Sequence, residues 1–384
     1  MHFISGNQIQ LLRSGIEYFP ALEHAIDHAQ HDIYIQTYIY EADEIGTRIG
    51  NAMINAVNRG VSVYLLIDGF GSKTLPKTYI ESLESAGVNV MVYRQKISPW
   101  TFKKNRLRRL HQKVAVIDGI VAFVGGINII DDHNVPHQTA PRIDYAVRVQ
   151  GALLPTISNN VKKLWQRLAW LHFHSKPVLT PDTHAPVHST KESIKAAFVT
   201  RDNILHRRDI EAAYLKAIHS AKHEIMIANA YFIPGRRFRK ALISAAKRGV
   251  KVKLLLQGRK EYFLMFATHA FYHVFLKNGI EIYEYRKSFM HSKVAVIDQE
   301  WATIGSSNID PFSLFLAREA NIIVKDKYFA TTLHQDILTA IHDGAYEIKV
   351  NDWAKGNIAK RFLSWVAYGL VRLFLGIIGY ADQH

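Results

Sequence analysis

Two stretches of the 384-residue chain, Leu110 to Asp118 (LHQKVAVID) and Met290 to Asp298 (MHSKVAVID), each set a histidine, a lysine two residues on and an aspartate five residues after the lysine. From histidine to aspartate the copies agree at seven of eight positions, differing only at Gln112 and Ser292. Side chains alternate along a strand, so His111 shares a face with Lys113 and His291 with Lys293. Asp118 and Asp298 complete the pattern on the opposite parity, near a turn, and are expected to fix structure rather than touch a substrate. At the same offset of 180 residues follow Gly125-Gly126-Ile127-Asn128 and Gly305-Ser306-Ser307-Asn308. Glycine lets backbone approach a ligand closely, and Asn128, Asn308 and Ser306 add hydrogen-bond donors.

Two imidazoles, two lysines and two amides brought together across a pseudo-twofold axis would form a pocket for a phosphate diester. One imidazole attacks phosphorus and the other protonates the departing alkoxide. An unperturbed pKa of about 6.5 lets one histidine be neutral and the other cationic near neutral pH. Covalent attack splits a hard displacement into two easier ones, while the lysines and amides stabilise charge on the equatorial oxygens. The attacking ring also needs an acceptor for its other N–H, to set tautomer and orientation. Asp144 in PRIDYAVRV and Glu319 in LAREANIIV occupy matching places in the two halves and are the candidates. None of the 20 histidines has convincing zinc spacing, so neither a metal nor a cofactor is expected.

The elements that must position these groups are themselves repeated. HAIDHAQHDIYI from His24 returns as KAIHSAKHEIMI from Lys216, Arg59-Gly60-Val61 as Arg248-Gly249-Val250, and Gly87-Val88-Asn89-Val90 as Gly279-Ile280-Glu281-Ile282. In each half a strand-like run leads to a helix-like run ending in Arg-Gly, then a second strand, another helical stretch and a third strand, the alternation of parallel α/β layers. The histidine strand follows, turning in the first half at Asp118-Gly119, a hairpin signal. The fold class is therefore a duplicated α/β domain. Its expected divisions are a first half over 1–175, a linker over 176–200 including the Pro- and His-rich HSKPVLTPDTHAPVHST, a second half over 201–350 and an apolar segment over 351–384. Early landmarks lie 192 residues apart but the two histidines only 180, so about twelve extra residues precede His111. They are SPWTFKKNRLRRL, whose five cations from Lys103 to Arg109 are suited to collecting phosphates.

A formal charge of +15 implies an acidic partner, either nucleic acid or an anionic membrane surface. The absence of cysteine removes disulfides, thiolate nucleophiles and Cys-based zinc sites. The opening residues lack a basic stretch followed by an apolar core, so neither a cleaved signal nor an N-terminal anchor is expected. Phe362 to Tyr380 is different: 19 residues with a single charge, Arg372, near the lower limit of a membrane-spanning helix and equally suited to lie in the interface. KKLWQRLAWLHFH at 162–174 and EYFLMFATHAFYHVFLK at 261–277 mix aromatics, long apolar side chains and cations in a way that suits a bilayer surface.

Two His-x-Lys-x4-Asp motifs with matching Gly-x-x-Asn followers resemble the phospholipase D superfamily over about residues 7 to 350. GNQIQLL, ANAYFIPGRRF, EYRKSFMHSKVAVID and WATIGSSNIDPFSL bring a closer resemblance to the bacterial cardiolipin synthases of the short B-type, without N-terminal membrane helices. The resemblance implies two α/β sandwich halves with one active site at their pseudo-twofold interface. It implies His111 as the residue that forms a phosphohistidine and His291 as general acid and then base, with Lys113, Lys293, Asn128 and Asn308 at phosphate-binding positions. The reaction it implies is transfer of a phosphatidyl group from one phosphatidylglycerol to another, giving cardiolipin and glycerol at the bacterial inner membrane, with the catalytic part on the cytoplasmic side and no nucleic acid partner. Gly126 stands where the second half has Ser306, so hydrogen bonding need not be symmetric. Three other readings stay open: a phospholipase D that passes the group to water, a phosphodiesterase acting on nucleic acid, and a catalytically silent scaffold for acidic lipids. Intact histidines in both halves count against the last.

Overall fold

A computed structural model describes residues 1–94, 109–135, 138–173, 193–202, 206–259, 268–310 and 317–350, together with 366 and 369. In the first half β1 (Ile4–Arg13), α1 (Ser14–Asp27), β2 (Asp32–Thr37), α2 (Glu44–Asn58), β3 (Ser62–Asp68), α3 (Lys77–Ser85) and β4 (Asn89–Tyr93) are followed by β5 (Arg109–Leu110), β6 (Lys113–Ile117), β7 (Val121–Gly125), β8 (Arg142–Ile143), β9 (Tyr145–Gly151) and α4 (Leu154–Phe173). The second half repeats them as β10 (Ile194–Arg201), α5 (Asp209–Ser220), β11 (Glu224–Asn229), α6 (Arg236–Lys247), β12 (Lys251–Gln257), α7 (Tyr272–Lys277), β13 (Glu281–Tyr285), β14 (Phe289–Met290), β15 (Lys293–Ile297), β16 (Trp301–Gly305), β17 (Ala317–Lys325), α8 (Lys327–Gly344) and β18 (Ala345–Glu347).

Hydrogen bonding runs without a break in the order β18-β13-β12-β11-β15-β16-β17-β10-β1-β9-β7-β6-β2-β3-β4. Strands β2, β3 and β4 pair in parallel, as do β11, β12 and β13, but the histidine-bearing strands add antiparallel to β2 and β11. The expected parallel layers are thus only the outer part of each half. The halves meet where β1 pairs with β10, and buried Asn7 ties this seam by donating to the carbonyls of Ile4 and Ile194 and accepting from the amide of Leu153. Because β10 begins at Ile194, the linker stops short of the expected 200.

The sequence KVAVI occurs in both β6 and β15, and all five residues are buried in each. A strand covered on both faces needs such an unbroken apolar run. Ala115 and Ile117 face a core under α1 and α2, and Ala295 and Ile297 face the equivalent core of the second half. Val114, Val116, Val294 and Val296 belong instead to one shared core that also contains Ile157 of α4 and Leu333 of α8. The two halves of this continuous sheet share the core between them, and the lysines that begin β6 and β15 lie buried beside it.

Both hairpins after these strands carry two successive residues with positive φ, Asp118 and Gly119 in the first and Asp298 and Gln299 in the second. That is the backbone of a type I′ turn, which glycine enters freely and glutamine does not. Gln299→Gly is expected to stabilise the fold by about 0.5–1 kcal/mol, measured as a rise in the urea midpoint with unchanged slope. A loss of stability would show that the weak 3.5 Å contact between Gln299 and the Thr331 hydroxyl outweighs the turn.

Candidate active site

Short bridges between the halves set the site. Residues Arg109 and Leu110 of β5 pair in parallel with Ala317 and Arg318, and the His111 amide continues the ladder to the Arg318 carbonyl at 3.0 Å. Phe289 and Met290 of β14 pair likewise with Arg142 and Ile143, and the His291 amide reaches the Ile143 carbonyl at 2.8 Å. Each histidine is therefore laid beside the residue that precedes the carboxylate of the opposite half. His111 Nδ1 lies 2.9 and 3.0 Å from the two Glu319 carboxylate oxygens, and His291 Nδ1 lies 2.7 Å from Asp144 Oδ2. Both carboxylates are nearly inaccessible, whereas the imidazoles keep 14% and 13% exposure. Donation from Nδ1 to a carboxylate fixes the tautomer and leaves Nε2 with the lone pair.

The lysines are buried with them. Lys113 Nζ donates to the His111 carbonyl at 2.7 Å. Lys293 Nζ lies 3.3 Å from Asp144 Oδ2 and 2.7 Å from His291 Nδ1, and also donates to the His291 carbonyl. One Nδ1 cannot both donate to Asp144 and accept from Lys293, so the lysine hydrogens go to the carboxylate and the carbonyl. Asn128 Oδ1 accepts from the Ile39 amide at 3.0 Å, which orients its NH2 group. Asn308, equally buried, has an Oδ1 with no partner among the described residues.

One placement differs from the sequence reading. Ser306 was expected to donate to substrate, but it is fully buried, and its single hydroxyl hydrogen goes to Glu319 Oε2 at 2.5 Å while its oxygen accepts from the Ala320 amide. It steadies the carboxylate behind His111. The matching Gly126 is explained by the same geometry, since a Cβ there would lie 2.3 Å from Asp144 Oδ1. Asp118 and Asp298 lie at the far ends of their strands, seven residues and about 23 Å from the imidazoles at the usual rise per residue. Asp118 accepts from the amides of Gln30, His31 and Asp32, and Asp298 from those of Lys222, His223 and Glu224. These motif aspartates pin the hairpin to the neighbouring strand, and their hydrogen bonds among the described residues go to backbone amides rather than to the imidazoles.

Burial dominates the electrostatics. It lowers the His111 pKa despite Glu319, and together with Lys293 it pushes His291 down to about 3. Burial brings Lys113 down to about 7 and lowers Lys293 as well. For Asp144 burial acts upward, but Lys293 and His291 overcome it and hold the carboxylate below its usual range. His111 feels Lys293 and His291 feels Lys113, so the two halves form one electrostatic unit. Both imidazoles are neutral at pH 7 in this arrangement, rather than one neutral and one cationic. An anionic phosphodiester set among them opposes burial and raises both pKa values.

Sequence reasoning missed two neighbours of His111. The Tyr38 ring meets the His111 ring edge-on at 4.8 Å and lies 5.3 Å from Lys113 Nζ. Buried Asp68 accepts from the Leu110 amide at 2.7 Å and from the amides of Phe70 and Gly71, which holds the strand entering His111. Tyr38 could be found only as a polar-tipped residue just past a strand end, and Asp68 only as an acid ending an apolar strand. Of the basic insert, Lys103, Lys104, Arg106 and Arg108 lie outside the described residues, as does nearly all of 362–380. Residues 261–267 of the second aromatic stretch do too, while its Phe271, Tyr272 and Phe275 are buried in the core of the second half, not at a surface. Among the described residues no group of three or more His, Asp or Glu side chains converges as a metal site, and no helix is long and apolar enough to cross a membrane.

A family model described as cardiolipin synthase, PLD-like domain, matches residues 22–138 and again 214–340, once in each half. Cardiolipin synthase B of Salmonella typhimurium is 37% identical over 390 residues, covering 99% of this chain and 91% of the relative. Cardiolipin synthase B of Escherichia coli K12 is 35% identical over 384 residues, with the same coverage. Among solved structures, the phosphatidylserine synthase of Haemophilus influenzae shares the fold with a TM-score of 0.69 over 97% of this chain and 94% of its own, at 14% identity.

Proposed function

The chain belongs to the cardiolipin synthase family with a PLD-like domain, and from that premise we propose that it moves a phosphatidyl group from one phosphatidylglycerol to the free glycerol hydroxyl of another, giving cardiolipin and glycerol. The observation that carries the reading is the crosswise pairing of two buried imidazoles with carboxylates of the opposite half, beside two buried lysines. In the first step the Nε2 lone pair of His111 attacks phosphorus, the bond to the glycerol oxygen breaks, and His291, which takes up a proton at Nε2 when the anionic diester binds, delivers that proton to the oxygen. In the second, the hydroxyl of another phosphatidylglycerol gives its proton to His291 and attacks phosphorus, and the phosphorus–nitrogen bond to His111 breaks. Lys113, Lys293, Asn128 and Asn308 hold the charged oxygens. Anionic phospholipid is the substrate, and the reaction takes place at the cytoplasmic surface of the bacterial inner membrane, with the chain attached peripherally or through its C-terminal segment. The charge of +15 and the carboxylate-steadied histidines support this reading.

Transfer differs from hydrolysis only in the second acceptor. Water is present at tens of molar, so a synthase must position a lipid hydroxyl and keep water away. Purified protein given vesicles of phosphatidylglycerol alone is expected to yield cardiolipin and free glycerol in equal amounts, with phosphatidic acid minor, and added glycerol should suppress net cardiolipin by reversing the exchange. Mass spectrometry of the products decides. Phosphatidic acid as the main product would make the protein a hydrolase, and cleavage of DNA with lipid untouched would make it a nuclease.

A further inference from the structure

On the rim beside His111, three large apolar side chains stand in water. Phe70 is 43% exposed, Trp170 55% and Leu171 58%. Single exposed apolar residues are common on any protein. These flank the segment that leads into His111 from two sides, and each has cations beside it. The Arg109 guanidinium lies 5.0 Å and the Lys73 ammonium 5.4 Å from the Phe70 ring centre. Arg167, also exposed, stands one helical turn before Trp170 and Leu171 on the same stripe of α4.

The fold puts this group at the mouth of the site. Asp68 binds the amides of both Phe70 and Leu110, so Phe70 is fixed next to the residue that precedes His111. Ala169 and Trp165 of α4 share a buried cluster with Leu110 and Tyr93. Helix α4 starts after Gly151, at the end of β9 remote from Asp144, and runs back. Along its length it crosses to β2 and β3, the Val161 carbonyl accepting from Gln36 and the Trp165 ring meeting Tyr64 at 5.1 Å, so Trp170 and Leu171 directly follow the residues that pack with Leu110. A phosphatidyl group whose phosphorus must meet His111 while its acyl chains stay in lipid requires this edge to face the bilayer. Phe70, Trp170 and Leu171 are then at the depth of the acyl boundary, and Lys73, Arg109 and Arg167 at that of the headgroups.

We propose that this aromatic and cationic rim is the surface by which the protein docks on an anionic bilayer, with Phe70, Trp170 and Leu171 inserting. The inference rests on the lipid-substrate reading above, but its test needs no turnover. The chain has no cysteine, so Phe70→Cys, Leu171→Cys and Tyr328→Cys each accept one environment-sensitive fluorophore. Tyr328 is 83% exposed at the start of α8, which follows the far end of β17, and serves as the control. With full-length protein and vesicles of phosphatidylserine and phosphatidylcholine, the labels at 70 and 171 are expected to brighten and shift to the blue. The label at 328 should not change, and vesicles of phosphatidylcholine alone should have little effect. Because each label reports its own surroundings, attachment by another part of the chain does not imitate the result. Lys73→Glu with Arg167→Glu should raise the lipid concentration for half the change at the 171 label at least about tenfold, given roughly 1 kcal/mol for each basic residue near an anionic surface.

Silence at 70 and 171, an equal response at 328, or indifference to the charge reversals would overturn the proposal. So would a response that grows with protein concentration in the absence of lipid, which would make a second copy of the chain the occupant. Failure of the synthase reading would appear in the products of the lipid assay and leave these signals unaffected.

Discussion

His111→Ala is expected to remove turnover, by about 10^4-fold or more, without unfolding the protein, since in the proposed reaction it deletes the atom that binds phosphorus. His291→Ala should block overall transfer as deeply for a different reason: the departing glycerol oxygen then lacks its proton. The roles separate when the leaving group needs no proton. With a nitrophenyl ester in place of glycerol, His291→Ala should again form the covalent phosphatidyl adduct, while His111→Ala should not. Acid-quenched protein digested to peptides would carry the adduct on His111, and finding it on His291 would reverse the assignment. Chelators should leave the wild-type rate unchanged, and loss with recovery on adding a metal would refute a scheme built on two imidazoles.

His291→Ala also has an expected effect on stability. Below about pH 6.5 an unfolded histidine binds a proton, whereas the folded His291 does not until about pH 3. Between those limits the unfolded state binds more protons, so this group makes stability fall as pH is lowered, by up to about 1.4 kcal/mol per unit. The variant lacks that slope. Its melting temperature should decline less than the wild type's between pH 6.5 and 4.

The duplicated α/β fold and the residues gathered at its interface were legible in the sequence because duplication prints the same pattern twice. A histidine, a lysine and an asparagine at one offset from their copies take equivalent places in both halves, and Asp144 and Glu319 could be chosen because their flanking strands also match. What one strand cannot show is its partner across an interface. That His111 takes Glu319 and His291 takes Asp144 depends on two-residue bridges, Arg109-Leu110 with Ala317-Arg318 and Phe289-Met290 with Arg142-Ile143, too short for any periodicity to register. Ser306 was misread for a related reason: a hydroxyl after a glycine suits a phosphate or a carboxylate equally, and only the placement of Glu319 decides. The interfacial stretches show the limit of composition. Aromatic and cationic residues in 162–174 and 261–277 look alike on paper, yet Trp165 and Phe275 are core while Trp170 is not, because the difference lies in which helix face meets the sheet.

Glu319→Gln should cost about 10^4-fold in the rate of adduct formation, the order expected when a histidine loses the carboxylate that fixes its tautomer. The amide can present N–H where Glu319 presents only acceptors, and His111 would then turn its Nδ1 lone pair inward and leave Nε2 protonated, unable to attack. Ser306→Ala removes only the hydroxyl that steadies Glu319 and should cost about 10-fold. A purely structural role for Glu319 would lower stability without moving the pH profile, so the profile is the discriminating measurement. Lys113 is held near 7 by burial acting against Glu319, among other charges. Loss of that negative charge lowers its pKa further, so the cation that should hold phosphate is lost at lower pH, and the alkaline limb of single-turnover adduct formation should move toward acid. Asp144→Asn disturbs a tighter group, because Lys293 sits between Asp144 and His291 and would be left buried without its counter-charge. Removing one member of such a pair costs about 3–5 kcal/mol. Asp144→Asn should therefore lose stability as well as rate, while Glu319→Gln mainly loses rate. Equal losses of stability in the two variants, or a Glu319→Gln protein with the wild-type rate and pH profile, would show that the two carboxylates do not divide the work as their contacts imply.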